Sequence, residues 1–122
     1  PKSMVVRGRD LVTGMPKEVT VDSDQLRLPL SKTVRTLVEA VKTTLEETPP
    51  ELVADVMERG ITLTGGGALL NQLDYLLAQE TKMPIHMAED PLASVVQGTG
   101  LILEDLNSMR SILVTPESGG KK

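Results

Sequence analysis

Ile61-Thr62-Leu63-Thr64-Gly65-Gly66-Gly67-Ala68-Leu69-Leu70 decides the fold of this chain and holds its one functional signal. Ile61–Thr64 reads as a short β-branched strand, and three consecutive glycines end it abruptly. Ala68 then opens an expected helix with Leu69, Leu70, Leu73, Leu76 and Leu77 on its apolar face. Glycines let the backbone take conformations barred to other residues and let a ligand approach with no Cβ in the way. The first free N–H groups of a helix starting at Ala68 would favour an anion or a polar edge, such as the ribose and phosphate of a nucleotide. The same pattern also serves as a tight strand-to-helix turn with no ligand. No Lys-Ser/Thr follows the glycines, so the turn is not a P-loop.

Outward from that stretch the elements alternate. Downstream, Met83–Ala88 reads as a second short strand, and Asp90-Pro91 as an N-cap with a first-turn proline. Leu92, Val95, Val96, Thr99 and Leu103 form the expected inner face of the last helix. Gly98 and Gly100 inside it cost about 1 kcal/mol each against Ala, which suggests close packing on another backbone. Upstream, Thr48-Pro49-Pro50-Glu51 reads as a capping box on a helix buried through Leu52, Val53, Val56 and Met57, with Gly60 at its left-handed end. Before that, Val34, Leu37, Val38, Val41 and Leu45 mark one face of a longer helix. Asp22-Ser23-Asp24 offers N-cap residues, but Pro29 opposes a helix through its position, which sets the expected start near Ser31. Met4–Arg9 and Lys17–Val21 flank a Gly/Pro-punctuated segment and read as a β-hairpin. The result is an α/β domain whose sheet has too few alternating strands, as if part of a larger one.

Composition narrows the chemistry. The chain has 122 residues and a net charge of −4, so no basic excess invites a nucleic-acid backbone. It has no Cys, which removes disulfides, thiolate zinc sites and a cysteine nucleophile together. His86 is the sole histidine, so a metal role has no partner imidazole, and an edge-strand histidine is the plainer assignment. Tyr75 is the sole aromatic residue, too few for base stacking. No apolar run approaches the roughly 18 residues of a membrane span, and no signal-peptide pattern opens the chain. Glu89-Asp90 is a possible carboxylate pair, yet Asp90 ahead of Pro91 serves better as a cap. Lys121-Lys122 is too short for a membrane or nucleic-acid patch, and the tail Pro116–Lys122 is expected to fray. Pro1 fits either removal of a start Met or the edge of a cut-out piece.

Ile61–Leu70 resembles the adenosine motif of the actin-like ATPase superfamily. Taken in order with Arg7–Pro16 (RGRDLVTGMP), Leu45–Leu52 (LEETPPEL), Glu58–Leu70 (ERGITLTGGGALL) and Glu89–Leu92 (EDPL), it resembles the MreB family of bacterial actin-like rod-shape proteins. The resemblance covers nearly all of residues 3–106. It implies an α/β fold: part of an actin-like (ribonuclease H-like) ATPase domain. Residues 1–30 would be a β-hairpin and linker of subdomain IIB, residues 31–106 the returning helix-strand-helix part of subdomain IIA, and residues 107–122 a C-terminal tail. It implies that Gly65, Gly66, Gly67, Ala68 and Leu69 line the adenosine side of a cleft for ATP or ADP with Mg²⁺. Their role would be binding. The two phosphate loops, the Mg²⁺ ligands and the groups that position the attacking water are expected outside this chain, so no catalytic or metal residue is expected within it.

For the intact protein the resemblance further implies an ATPase that forms homo-oligomeric filaments. It would be cytoplasmic and membrane-associated, work with inner-membrane elongation proteins, bind no nucleic acid, and set rod shape by guiding cell-wall synthesis. Two departures stand out. The family carries a continuous helix through the region of Leu26–Leu30, where Pro29 sits here, and often a basic residue and a Gly where Asn71-Gln72 stand. Two other functions fit less well. A sugar kinase of the same superfamily also has a glycine-rich adenosine loop, but RGRDLVTG and TPPEL argue against it. A free-standing filament-interaction module would bind no nucleotide at all.

Overall fold

The computed structural model describes residues 1–114, and the tail Pro116–Lys122 lies outside the described residues. The chain divides into two compact units, Pro1–Val53 and the part from Ala54 onward.

In the first unit β1 (Ser3–Arg9) pairs antiparallel with β2 (Pro16–Asp22), with Ser3 opposite Asp22 and Arg9 opposite Pro16. The hairpin turn is built by Asp10. Its carboxylate accepts the Val12 amide at 2.8 Å and the Thr13 amide at 3.3 Å, and pairs with the Lys17 ammonium at 3.1 Å. Its carbonyl accepts the amide of Gly14, which supplies the positive φ of +72° that the reversal needs. The Val12 amide foremost, then Lys17, then Thr13 hold the Asp10 carboxyl below the usual aspartate value. A group lowered in this way stabilises the turn fully above its unfolded pKa, and the contribution is lost as pH falls through the folded one. Acidification below the ordinary aspartate range is therefore expected to release the Val12 and Thr13 amides together, while Asp10→Asn leaves them insensitive to pH. Amide chemical shifts followed down an acid titration check this.

α1 (Ser23–Glu47) corrects the expected start near Ser31. Asp22 caps it in a complete capping box: its carboxylate accepts the Gln25 amide at 2.8 Å, and the Gln25 side chain accepts the Asp22 amide at 3.1 Å. Pro29 lies inside the helix. It deletes one backbone donor from 25 residues, and the helix runs on. Of the expected apolar face, Val38 is buried and Val34, Val41 and Leu45 are half-buried, while Leu37 is exposed and does not belong to it. Thr48 ends α1, its amide donating to the Leu45 carbonyl and its hydroxyl to the Thr44 carbonyl, and its side chain accepts no amide of the next helix. The expected capping box over Thr48–Glu51 is thus absent, and α2 (Pro50–Arg59) starts from the Pro49 carbonyl, which accepts the amides of Leu52 and Val53.

In the second unit Gly60 closes the end of α2 with φ +85° and donates to the Val56 carbonyl at 2.7 Å. β3 (Ile61–Leu63) follows, then a single 3-10 turn (Gly66–Leu69), α3 (Leu73–Thr81) and β4 (Ile85–Met87). β3 and β4 are parallel, Ile61 opposite Ile85 and Leu63 opposite Met87, with α3 as the crossover. α4 (Ser94–Glu104) and the short α5 (Leu106–Met109) complete the described part, and the final 3-10 turn is Arg110–Ile112. Among the described residues the buried apolar positions are Val38, Ala68, Leu73 and Leu77. The expected inner face of the last helix is corrected here: Leu92, Val95, Val96 and Leu103 are exposed, while Ser94, Gly98 and Ile102 are half-buried. A Cβ added at Gly98 or Gly100 would meet nothing within 4 Å, so the close packing expected there is not made by the described residues.

Candidate functional site

The glycine turn differs from its expected form. Ala68 does not open a helix. Gly66–Leu69 make one 3-10 turn, and α3 begins at Leu73 behind Gln72, whose φ of +64° is left-handed. A four-residue turn has no long stack of aligned peptide dipoles, so any ligand here would be held by backbone access and shape rather than by a helix N-terminus.

The positive φ in the triplet belongs to Gly65, at +83°. Gly66 and Gly67 are not in the left-handed region. A Cβ at Gly65 or Gly67 would meet nothing within 4 Å, and one at Gly66 would meet only the Cδ2 methyl of Leu92 at 3.4 Å. The outer surface of the turn is therefore open backbone, the kind of surface a flat ligand can lie against. Of the residues expected to line it, Gly66, Gly67 and Leu69 are exposed, Gly65 is half-buried and Ala68 is buried. The Ala68 amide donates to Gly65 and the Leu70 amide to Gly67, each at 3.2 Å, which winds the turn tightly.

The turn is tied to the segment after β4. The Gly65 amide donates to the Pro91 carbonyl at 2.7 Å, and the Thr64 hydroxyl donates to the same oxygen at 3.2 Å. Asp90 shapes that segment: its carboxylate accepts the Ala93 amide at 3.2 Å, and its carbonyl accepts both the Ser94 amide and the Ser94 hydroxyl. Asp90 thus caps a turn leading into α4, and Glu89 makes no hydrogen bond with it. Thr64 and Pro91 were invisible as partners in the sequence, being 27 positions apart with no spacing rule to join them.

His86 lies in β4 opposite Thr62, with its ring against Gly60. No group of three or more His, Cys, Asp or Glu among the described residues is arranged to hold a metal ion. The backbone of the glycine turn stands open at Gly65 and Gly67. No helix among the described residues is long and apolar enough to cross a membrane.

Residues 1–111 match the sequence profile of the family described as MreB/Mbl protein. The chain is 48% identical over 104 residues to the cell shape-determining protein Mbl of Bacillus subtilis, covering 85% of this chain and 31% of that protein. It is 47% identical over 103 residues to the cell shape-determining protein MreB of Escherichia coli K12, covering 84% and 30%. Among solved structures, MreB5 of Spiroplasma citri bound to ADP superposes with a TM-score of 0.81 at 35% identity, covering 90% of this chain and 33% of that one. The same protein bound to AMPPNP gives a TM-score of 0.80, covering 92% and 34%. The chain spans about 30% of the length of the curated relatives it matches.

Proposed function

The chain belongs to the MreB/Mbl family of cell shape-determining proteins, and on that premise we propose that its glycine turn is the adenosine-binding wall of an ATP-dependent, filament-forming cytoskeletal protein. The fold is part of the actin-like ATPase domain, with the β3–β4 pair as the returning edge of its sheet. The observation that carries the proposal is the Gly65–Gly67 turn at the end of β3, wound into a fixed shape with its outer face free of side chains. MreB5, whose structure this chain matches, was solved with ADP and with AMPPNP.

In this reading Gly65, Gly66 and Gly67 present backbone to the nucleoside, Leu69 offers an exposed apolar edge and Ala68 anchors the turn from within. They bind and orient, and none of them transfers a proton. Hydrolysis would be phosphoryl transfer to water, with charge on the phosphates neutralised by Mg²⁺. The groups for that step would come from family regions outside the described residues, as would attachment to the membrane surface and to inner-membrane elongation proteins. The intact filament would guide wall synthesis and so set rod shape.

The test is titration of a fluorescent ATP analogue into the full-length protein, with pelleting measured in the presence and absence of ATP. Saturable binding with nucleotide-dependent pelleting is expected. A folded protein that binds no analogue but still joins filaments of a relative would instead be an interaction module, and the glycines only a turn.

A further inference from the structure

We infer that Thr64 is a positioning residue, which together with the Gly65 amide clamps the glycine turn onto the carbonyl of Pro91. The inference rests on the nucleotide-binding reading above. The β3–β4 ladder ends where the Ala88 amide donates to the Leu63 carbonyl at 2.9 Å. Beyond that point the two segments part, one into the glycine turn and the other toward α4. The Pro91 oxygen is what joins them again. A carbonyl oxygen has two lone pairs, and here both donors come from consecutive residues of the turn.

The clamp acts at the position where it decides the most. Gly65 is the glycine of the triplet with positive φ, so its amide direction fixes where the chain goes next. Leu92, next to Pro91, has its Cδ2 methyl 3.4 Å from where a Cβ on Gly66 would stand, so the same segment also lies alongside the turn. The acceptor is itself held in place, because Pro91 sits in the turn that Asp90 closes onto Ala93 and Ser94. Thr64 is exposed, so its side chain adds little to the interior, and its hydroxyl is the part that matters. The glycine turn and the Asp90–Ser94 turn thus form one rigid piece, pre-shaped before any ligand arrives. A wall shaped in advance costs a ligand less ordering on binding.

The test compares Thr64→Val, which keeps the shape and removes the donor, with Thr64→Ser, which keeps the donor. Two readouts are taken on the full-length protein: hydrogen exchange at the Gly65 amide, and affinity for the fluorescent ATP analogue. Thr64→Val is expected to speed Gly65 exchange and weaken the analogue, each by about tenfold, the scale of one hydrogen bond. Thr64→Ser should stay within about twofold of the unaltered protein in both. Exchange at Ile61, in the ladder, should not change in either variant. Unaltered affinity in Thr64→Val, or equal loss in both variants, overturns the positioning role. If the unaltered protein binds no analogue, the nucleotide reading fails and the positioning role falls with it. Gly65 exchange then still separates a clamped turn from an unclamped one.

Discussion

Replacing Gly60 with alanine is expected to destabilise the second unit by at least about 2 kcal/mol, a larger effect than at any glycine of the triplet. Two costs add at this position. The residue has φ +85°, where a Cβ crowds the backbone by about 1–2 kcal/mol. The new methyl would also lie 2.7 Å from the Pro84 carbonyl oxygen and 2.8 and 2.9 Å from the His86 ring. The ring can turn aside. The carbonyl cannot, because it accepts the Ile61 amide at 2.8 Å and so starts the parallel ladder. Relief therefore has to come from parting β3 and β4. Exchange at the Ile61 amide should quicken by about thirtyfold or more, in proportion to that loss. Adding His86→Ala should recover little of it, since the ring can already turn aside and the Pro84 carbonyl remains. Unchanged protection at Ile61 in Gly60→Ala would refute the account.

The second large effect concerns the ligand and leaves the fold in place. Gly66→Val is expected to fold normally and to weaken the ATP analogue by about a hundredfold. Gly66 is outside the left-handed region, and a Cβ there meets only a leucine methyl at ordinary contact distance, so the backbone tolerates it. What a valine fills is the open space over the turn, where the nucleoside would lie. Gly65→Val would test less cleanly, because φ +83° strains the turn itself. Asn71→Ala, beyond the 3-10 turn, should cost little. Circular dichroism confirms folding, and a folded Gly66→Val protein with unaltered affinity would mean that nothing binds over the glycines.

These two positions also show what the sequence could and could not carry. Gly60 was legible at the end of an apolar period, because a left-handed helix end is a local requirement that glycine meets. The hairpin and the Val34–Val38–Val41–Leu45 face were legible for the same reason: each is a periodic pattern over neighbouring residues. Pro29 misled because its local rule is strong, yet it removes only one bond from a helix already started by the Asp22–Gln25 box. The triplet was found, but which glycine carries the positive φ was not, since three identical residues give no pattern to choose by. The 3-10 turn in place of a helix start was not legible either, and Gln72, left-handed at φ +64°, stands between that turn and α3. The Thr64–Pro91 clamp is a long-range contact with no periodic trace. The family itself was legible from ordered motifs, and the profile match over residues 1–111 agrees with it.

Among the described residues only Val38, Ala68, Leu73 and Leu77 are buried, and this thin interior has a thermodynamic consequence. The heat-capacity increment of unfolding and the denaturant slope both scale with the apolar surface that unfolding newly exposes. A chain that buries little has little left to expose. Its stability curve is expected to be low and flat and its transitions in heat or urea broad, with the hairpin and the β3–β4 pair each loosening by its own local opening. For this chain taken alone, a single melting midpoint would average over those openings, and stability is a property of each amide in turn.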